Sequence, residues 1–307
     1  MKPRPWWEDT DDAERLVHAD ALTAKGDPRG EFIVLQCTEP SSPRVAELWN
    51  AHQLTWLTEL GLPRYNWQPK RAGLSSVLFP SKSGLESWTA EFQRGFLAKL
   101  WAPHLRPSLE KGLLEGGQQL RLLELDTWDV DDVIERAQQF QLETLGLSGA
   151  TGAKHKQLDA LFASPVFERL AEFSFNVGTD DAEFRAEIIL RGAGQRAPRL
   201  TRLTLTGALT NAPLRLITKL EWTKRLTHLD VSSRDATEEI PALLAHLPKL
   251  EVLTLNVHRA LRETAHALLA HPALKQARIR TSAPTPLEPA LSAQLREKLG
   301  PEALVRF

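Results

Sequence analysis

Catalysis, metal binding and phosphate binding each need particular side chains at particular spacings, and this chain offers few of them. Cys37 is the only cysteine. A thiol becomes a nucleophile when a histidine or a helix N-terminus lowers its pKa, but Cys37 closes the apolar run Phe32 to Cys37, FIVLQC, which suits a structural thiol. His266 and His271 are five apart, with His258 on another segment and no His-Glu-x-x-His, so a metal site is not expected. His18 and Asp20, two apart on a helix, face different directions. The acidic run Glu8 to Asp12 lacks the glycine and terminal glutamate of a calcium-binding loop. Neither phosphate-cradling glycine motif is present, and Gly149-Ala150-Thr151-Gly152 reads as a turn. The expectation is a protein that is not an enzyme and carries no catalytic residue, cofactor or metal.

Residues that could bind a partner emerge instead from a repeat. Leu-x-x-Leu-x-Leu appears as LRLLEL from Leu120, LETLGL from Leu142, LTRLTL from Leu200, LTHLDV from Leu226 and LEVLTL from Leu250, with degenerate copies LAEFSF from Leu170 and LKQARI from Leu274. Successive starts lie 22, 28, 30, 26, 24 and 24 residues apart. The fourth and sixth positions alternate with polar ones, so each copy predicts a short strand with one buried side. If the strands stack in register, the polar positions form columns. The middle column is Glu124, Gly146, Ser174, Thr204, Asp230, Thr254 and Arg278. The next is Asp126, Ser148, Asn176, Thr206, Ser232, Asn256 and Arg280, and Arg202 and His228 stand on the preceding one. Both full columns grade from acidic through small hydroxyl and amide groups to basic, which would orient an extended partner. Arg259 and Arg262, with Arg278 and Arg280, make the local basic cluster.

The elements that must position these columns follow from the segments between them. DDVIERAQQF, HKQLDALFASPVF, DAEFRAEIIL, APLRLITKLEW, EEIPALLAHL and ETAHALLAHPAL carry apolar residues three and four apart, the helical period. Strand plus helix at this spacing resembles the leucine-rich-repeat proteins, over about Leu120 to Thr281. The resemblance implies a solenoid with parallel strands on a concave face and helices on the convex one. The family's Asn or Cys after the third apolar residue is replaced here by Trp128, Ala150, Gly178 and similar residues, so irregular turns are expected.

Upstream, Leu16, Val17, Ala19 and Leu22 line a helix that Gly26 should end, Asp27 and Pro28 suit a second helix start, and a third helix is predicted from about Arg44 to Leu60. Ala19-Asp20 and Gly26-Asp27-Pro28-Arg29-Gly30-Glu31-Phe32 resemble a repeat-companion domain found before leucine-rich repeats in some large-genome bacteria, with Ala21 where that family usually has tryptophan. FQRGFLAKL, Phe92 to Leu100, resembles its transition into the repeats. Of nine tryptophans, Trp6, Trp7, Trp49, Trp56, Trp67, Trp88 and Trp101 lie in the first third. They read as core, with Trp6 and Trp7 alternatively an exposed anchor. Residues 63–91, rich in Pro, Gly and Ser, read as an irregular connector.

The expected organisation is an α/β chain: a small all-helical domain over 1–62, the connector over 63–91, the solenoid over 92–281 and a capping helix within 282–307. With 38 basic against 39 acidic residues the formal charge is −1. No global field draws in nucleic acid, and no apolar stretch of about 20 residues is there to cross a bilayer. A lone cysteine and a proline-broken, acidic N-terminus lead to the expectation of a cytoplasmic location. The function expected is protein or peptide binding, through Glu124, Asp126, Asn176, Arg202, Thr204, His228, Asp230, Ser232, Thr254, Asn256, Arg278 and Arg280. The alternative is a regulator or enzyme acting on a bound partner through His228 and Asp230.

Overall fold

The computed structural model describes residues 12–62, 67–81, 84–93, 96–103, 110–111, 120–126, 130–148, 153–233, 238–257, 262–281, 287–301 and 303–306. Trp6, Trp7, Trp128, His258, Arg259, the acidic residues before Asp12 and the turn expected from Gly149 to Gly152 lie outside them. The chain divides into two compact units, Met1–Leu123 and Glu124–Phe307.

The first unit begins with three helices, α1 (Asp12–Thr23), α2 (Arg29–Thr38) and α3 (Pro43–Glu59). Gly26 ends α1 in the left-handed region at φ 72°, and Asp27 then accepts the Arg29 backbone N–H at 2.9 Å, closing the first turn of α2. Gly30 lets the two helices cross closely, for a Cβ there would lie 2.6 Å from the Ala19 carbonyl. Arg29 bridges Asp27 and Glu59, and Arg44 pairs with Glu31 at 2.8 Å. The Gly-Asp-Pro-Arg-Gly-Glu-Phe segment is thus a helix corner, and its ionic residues are committed to holding it. Phe32, buried at its end, meets Trp56 with ring centroids 5.0 Å apart, and Trp49 meets Phe92 at 5.1 Å. Trp67 and Trp88 are also buried. Cys37 is half-buried beside the Ala19, Ile33 and Phe96 cluster.

Two expectations need correction here. In place of an irregular connector over 63–91 stand three strands, β1 (Gln68–Arg71), β2 (Leu74–Ser81) and β3 (Gly84–Gln93). With β4 (Phe96–Ala102) they form an antiparallel meander in which Val77 pairs with Trp88 and Thr89 with Trp101. The first unit is therefore helices plus sheet, not an all-helical domain. Residues 92–102 belong to this meander and not to the strand and helix repeats, which begin after them.

In the second unit strand and helix alternate: β5 (Leu122–Leu125), α4 (Val130–Ala137), β6 (Thr144–Leu147), α5 (His155–Ala163), β7 (Glu172–Asn176), α6 (Ala182–Arg196), β8 (Arg202–Leu209), α7 (Ala212–Ile217), β9 (His228–Ser233), α8 (Ile240–His246), β10 (Val252–Val257), α9 (Arg262–Ala270), β11 (Gln276–Thr281), α10 (Pro289–Leu299) and β12 (Leu304–Arg306). β5 straddles the boundary between the units. Strand order is sequence order, and pairing from β6 to β12 is parallel. β12 follows the expected terminal helix and was not foreseen. Each of the seven repeats puts its fourth and sixth residues into the core. From Leu123 and Leu125 to Ala277 and Ile279 these positions expose 1% or less, and burying a large one contributes about 1.5–3 kcal/mol. Phe173 of β7 packs edge-on against Phe162 of α5 and Phe167 of the following turn, so the core lies between strands and helices.

Two ladders hold the repeats in phase. At strand starts one carbonyl accepts two successive N–H groups of the next repeat: Thr201 from Thr227 and His228 (2.8 and 3.2 Å), Thr227 from Glu251 and Val252 (2.8 and 3.0 Å), and Glu251 from Lys275 and Gln276 (2.8 and 3.0 Å). Between each helix and the next strand, backbone carbonyls also accept from, or lie beside, a side chain further along the chain. Arg225 reaches the Leu200 carbonyl at 2.9 Å, His271 that of Leu247 at 2.9 Å, and Lys298 that of His271 at 2.9 Å, while His246 lies 3.2 Å from that of Leu220. β8 bulges between Leu205 and Leu209 at Gly207, whose φ is 125°.

Candidate binding face

The face of the second unit's sheet opposite the core is built from the third, fifth and seventh residues of each repeat pattern. The predicted middle column is in register: Gly146 pairs with Ser174, Ser174 with Thr204, Thr204 with Asp230, Asp230 with Thr254, and Thr254 with Arg278. At its acidic end Glu124 lies flat over β6, because a Cβ on Gly146 would stand 2.7 Å from Glu124 Cγ. In the next column Ser148 Oγ lies 3.4 Å from Asp126 Oδ1, Asn176 pairs with Thr206, Ser232 with Asn256, and Asn256 with Arg280, but the β8 bulge after Leu205 breaks the expected step from Thr206 to Ser232. The gradation from Glu124 and Asp126 to Arg278 and Arg280 is therefore spatial as well as sequential.

Three of the selected residues are partly committed to the fold. Asn176 Oδ1 accepts the Gly178 N–H at 3.0 Å, which makes it a turn former more than a presented amide. Arg202 is ion-paired with Glu172 at 2.9 Å, on the neighbouring strand. The Nδ1 of His228 lies 2.9 Å from the Thr227 hydroxyl. Glu172 was missed in selecting site residues. It occupies the same repeat position as Arg202 and His228, and aligning the repeats on their first leucine reveals it.

The strongest electrostatic features are on β9. Burial pushes the His228 imidazole below the usual histidine range, and the charge of Arg202 pushes it further the same way. Burial also pushes the Asp230 carboxyl up, opposed by the positive charges of Arg280 and then Arg278. Beside it, Asn256 Nδ2 donates to Ser232 Oγ at 3.0 Å while its Oδ1 is buried without a donor. An acceptor left so costs about 1–3 kcal/mol. His228 and Asp230 stand in adjoining columns, as expected.

Thus β8 to β11 gather Arg202, Thr204, His228, Asp230, Ser232, Thr254, Asn256, Arg278 and Arg280 on one surface, with Glu124 and Asp126 at its far edge. Arg262, of the expected basic cluster, is on α9 and reaches Glu288 at 3.3 Å. Among the described residues no three His, Cys, Asp or Glu are placed to hold a metal ion, and no helix is long and apolar enough to cross a membrane. No protein-family profile matches the chain, and no curated protein matches it.

Proposed function

We propose that the strand and helix repeats form a leucine-rich-repeat solenoid whose polar sheet face is concave, and that the protein works without chemistry by binding a peptide segment of another protein there. The carrying observation is the register-locked middle column from Gly146 to Arg278, which sets Asp230 between Thr204 and Thr254 with His228 in the adjoining column. Burial also pushes the Asp230 carboxyl up and the His228 imidazole down, and such shifted groups gather at functional sites. The Gly-Asp-Pro-Arg-Gly-Glu-Phe helix corner supports the likeness to bacterial repeat-companion proteins, and the lone cysteine supports a cytoplasmic setting.

Size favours a segment over a folded surface. Seven strands at about 4.8 Å span roughly 29 Å, and four or five residues of strand supply about 15 Å, giving a face near 430 Å². A stable protein interface takes about 800 Å² from each partner. An extended peptide of about nine residues crosses 29 Å. Its basic part lies toward Glu124 and Asp126 and its acidic part toward Arg278 and Arg280. Capture from a native lysate tests this: the intact chain retains a partner that the folded Asp230→Arg, Asn256→Arg double variant loses at least tenfold. Undiminished capture by that variant overturns the reading.

A further inference from the structure

Asp230 stands on β9 within the polar face, with β6 to β8 on one side of it and β10 and β11 on the other. Among the described residues its carboxylate makes neither a hydrogen bond nor an ion pair. Thr204 and Thr254 are its register partners on the neighbouring strands, one on each side at about 4.8 Å. Their hydroxyls likewise have no hydrogen-bond partner among the described residues. The positive charges nearby do not close on the carboxylate. Arg202 is held by Glu172 at 2.9 Å, and Arg280 and Arg278 act on Asp230 from β11, two strands away, without offsetting its burial. His228, two residues earlier on the same strand, is pushed by burial toward its neutral form. The row of Thr204, Asp230 and Thr254 thus offers a half-buried carboxylate flanked by two hydroxyls, each with lone pairs to give. Its complement is a compact cation with several N–H donors.

We propose that this row captures the side-chain ammonium of a lysine within the bound peptide. The inference rests on the polar-face reading and names the residue of the partner that anchors there. The lysine Nζ donates one N–H to the Asp230 carboxylate, a charge-assisted hydrogen bond, and turns the other two toward the Thr204 and Thr254 hydroxyl oxygens. Three donors spread around one nitrogen suit acceptors spread over three strands. The flat fork of an arginine suits the two oxygens of one carboxylate and leaves the threonines unserved. The long apolar stem of lysine reaches down between neighbouring side chains while the peptide backbone stays above the face. An α-ammonium carries the same chemistry but ends its chain. With sheet on both sides of β9, a terminus at Asp230 leaves one flank of the face uncovered, whereas an internal lysine lets the peptide run both ways.

The test uses the full chain, immobilised, and synthetic pools of nonapeptides, random in sequence but with lysine and arginine excluded outside the central position. That position holds lysine, acetyl-lysine or arginine in three pools capped at both termini, and acetyl-lysine in a fourth with a free α-amine. Retention is read by mass spectrometry. The lysine pool is expected to be retained at least tenfold over capped acetyl-lysine and several-fold over arginine. Asp230→Asn, which keeps the shape and removes the charge, should abolish the preference, and Thr204→Val with Thr254→Val should reduce it several-fold. Equal retention of the lysine and acetyl-lysine pools overturns the proposal, as does retention of no pool or a preference that survives Asp230→Asn. Retention of the arginine or free-amine pool at the lysine level overturns it as well. If the lysine and acetyl-lysine pools bind equally and both are lost in the Asp230→Arg, Asn256→Arg variant, the polar face still binds peptide and only the lysine anchor fails. If the retained peptides survive that variant, the polar-face reading fails with it.

Discussion

His271 carries two hydrogen bonds in opposite senses. Its Nε2 meets the Leu247 carbonyl at 2.9 Å and its Nδ1 accepts the Leu274 N–H at 3.1 Å, in a buried position. The Leu247 carbonyl keeps the Leu250 N–H at 3.0 Å, so alanine leaves only the Leu274 N–H without its partner, and His271→Ala should cost about 1–3 kcal/mol, read from urea unfolding. Glutamine, which can restore one bond, should cost less. The two desolvated groups on β9 predict opposite pH signatures. His228 binds fewer protons in the native chain than in the unfolded one between its lowered pKa and about 6.5. Stability should therefore fall as pH drops through that window, and His228→Gln should remove that part of the fall. Asp230 binds more protons in the native chain between 3.8 and its raised pKa. It weakens the fold as pH rises through that window, so Asp230→Asn should raise Tm at pH 7 and converge on the parent near pH 3.8. A variant that lowers Tm at pH 7 contradicts the desolvated carboxylate. At this scale the sequence showed the column members, because a strand's period of two sets which side each residue faces. It did not show Arg202 with Glu172 or Asn256 with Ser232, since those need the neighbouring strand.

Among elements, the legible ones share a property. β5 to β11 carry apolar residues at both inward positions, so Leu-x-x-Leu-x-Leu exposes them directly. β1 to β3 were read as a connector because inward positions there include Ser75, whose hydroxyl is satisfied by Gln53 of α3, and because Pro69, Gly73 and Pro80 punctuate them. A polar residue buried against a side chain from another element breaks the alternation that marks a strand. The helix corner, by contrast, was legible through Gly26 and Asp27. Gly30 supplies its sharpest test. A Cβ there meets the Ala19 carbonyl at 2.6 Å and the Thr23 amide nitrogen at 2.7 Å, both backbone atoms of α1. Gly30→Ala must push α1 and α2 apart and should cost about 1–3 kcal/mol. Gly26→Ala meets no neighbour within 4 Å and should cost about 1 kcal/mol, for its positive φ alone. Equal losses in guanidinium unfolding would contradict the close crossing.

For the molecule as a whole, a formal charge of −1 hides an ordered distribution. The acidic and basic ends of the second unit's polar face cancel in the sum and separate in space. Composition could not reveal this, whereas the repeat register did, because one phase shared by seven copies fixes where every polar position falls. The repeats were legible down to the middle column; the β8 bulge that breaks the next one was not, nor was the extent of the first unit, since its sheet has no repeat to announce it. The central claim is that this face binds the partner. The most direct measurement compares lysate capture by three folded proteins: the intact chain, Asp230→Arg with Asn256→Arg on the face, and Asp159→Arg with Glu187→Arg on exposed helix positions of α5 and α6. The account predicts that the same partner is held by the intact chain and the helix variant and lost at least tenfold by the face variant. Retention by the face variant, or equal loss in both, would contradict it.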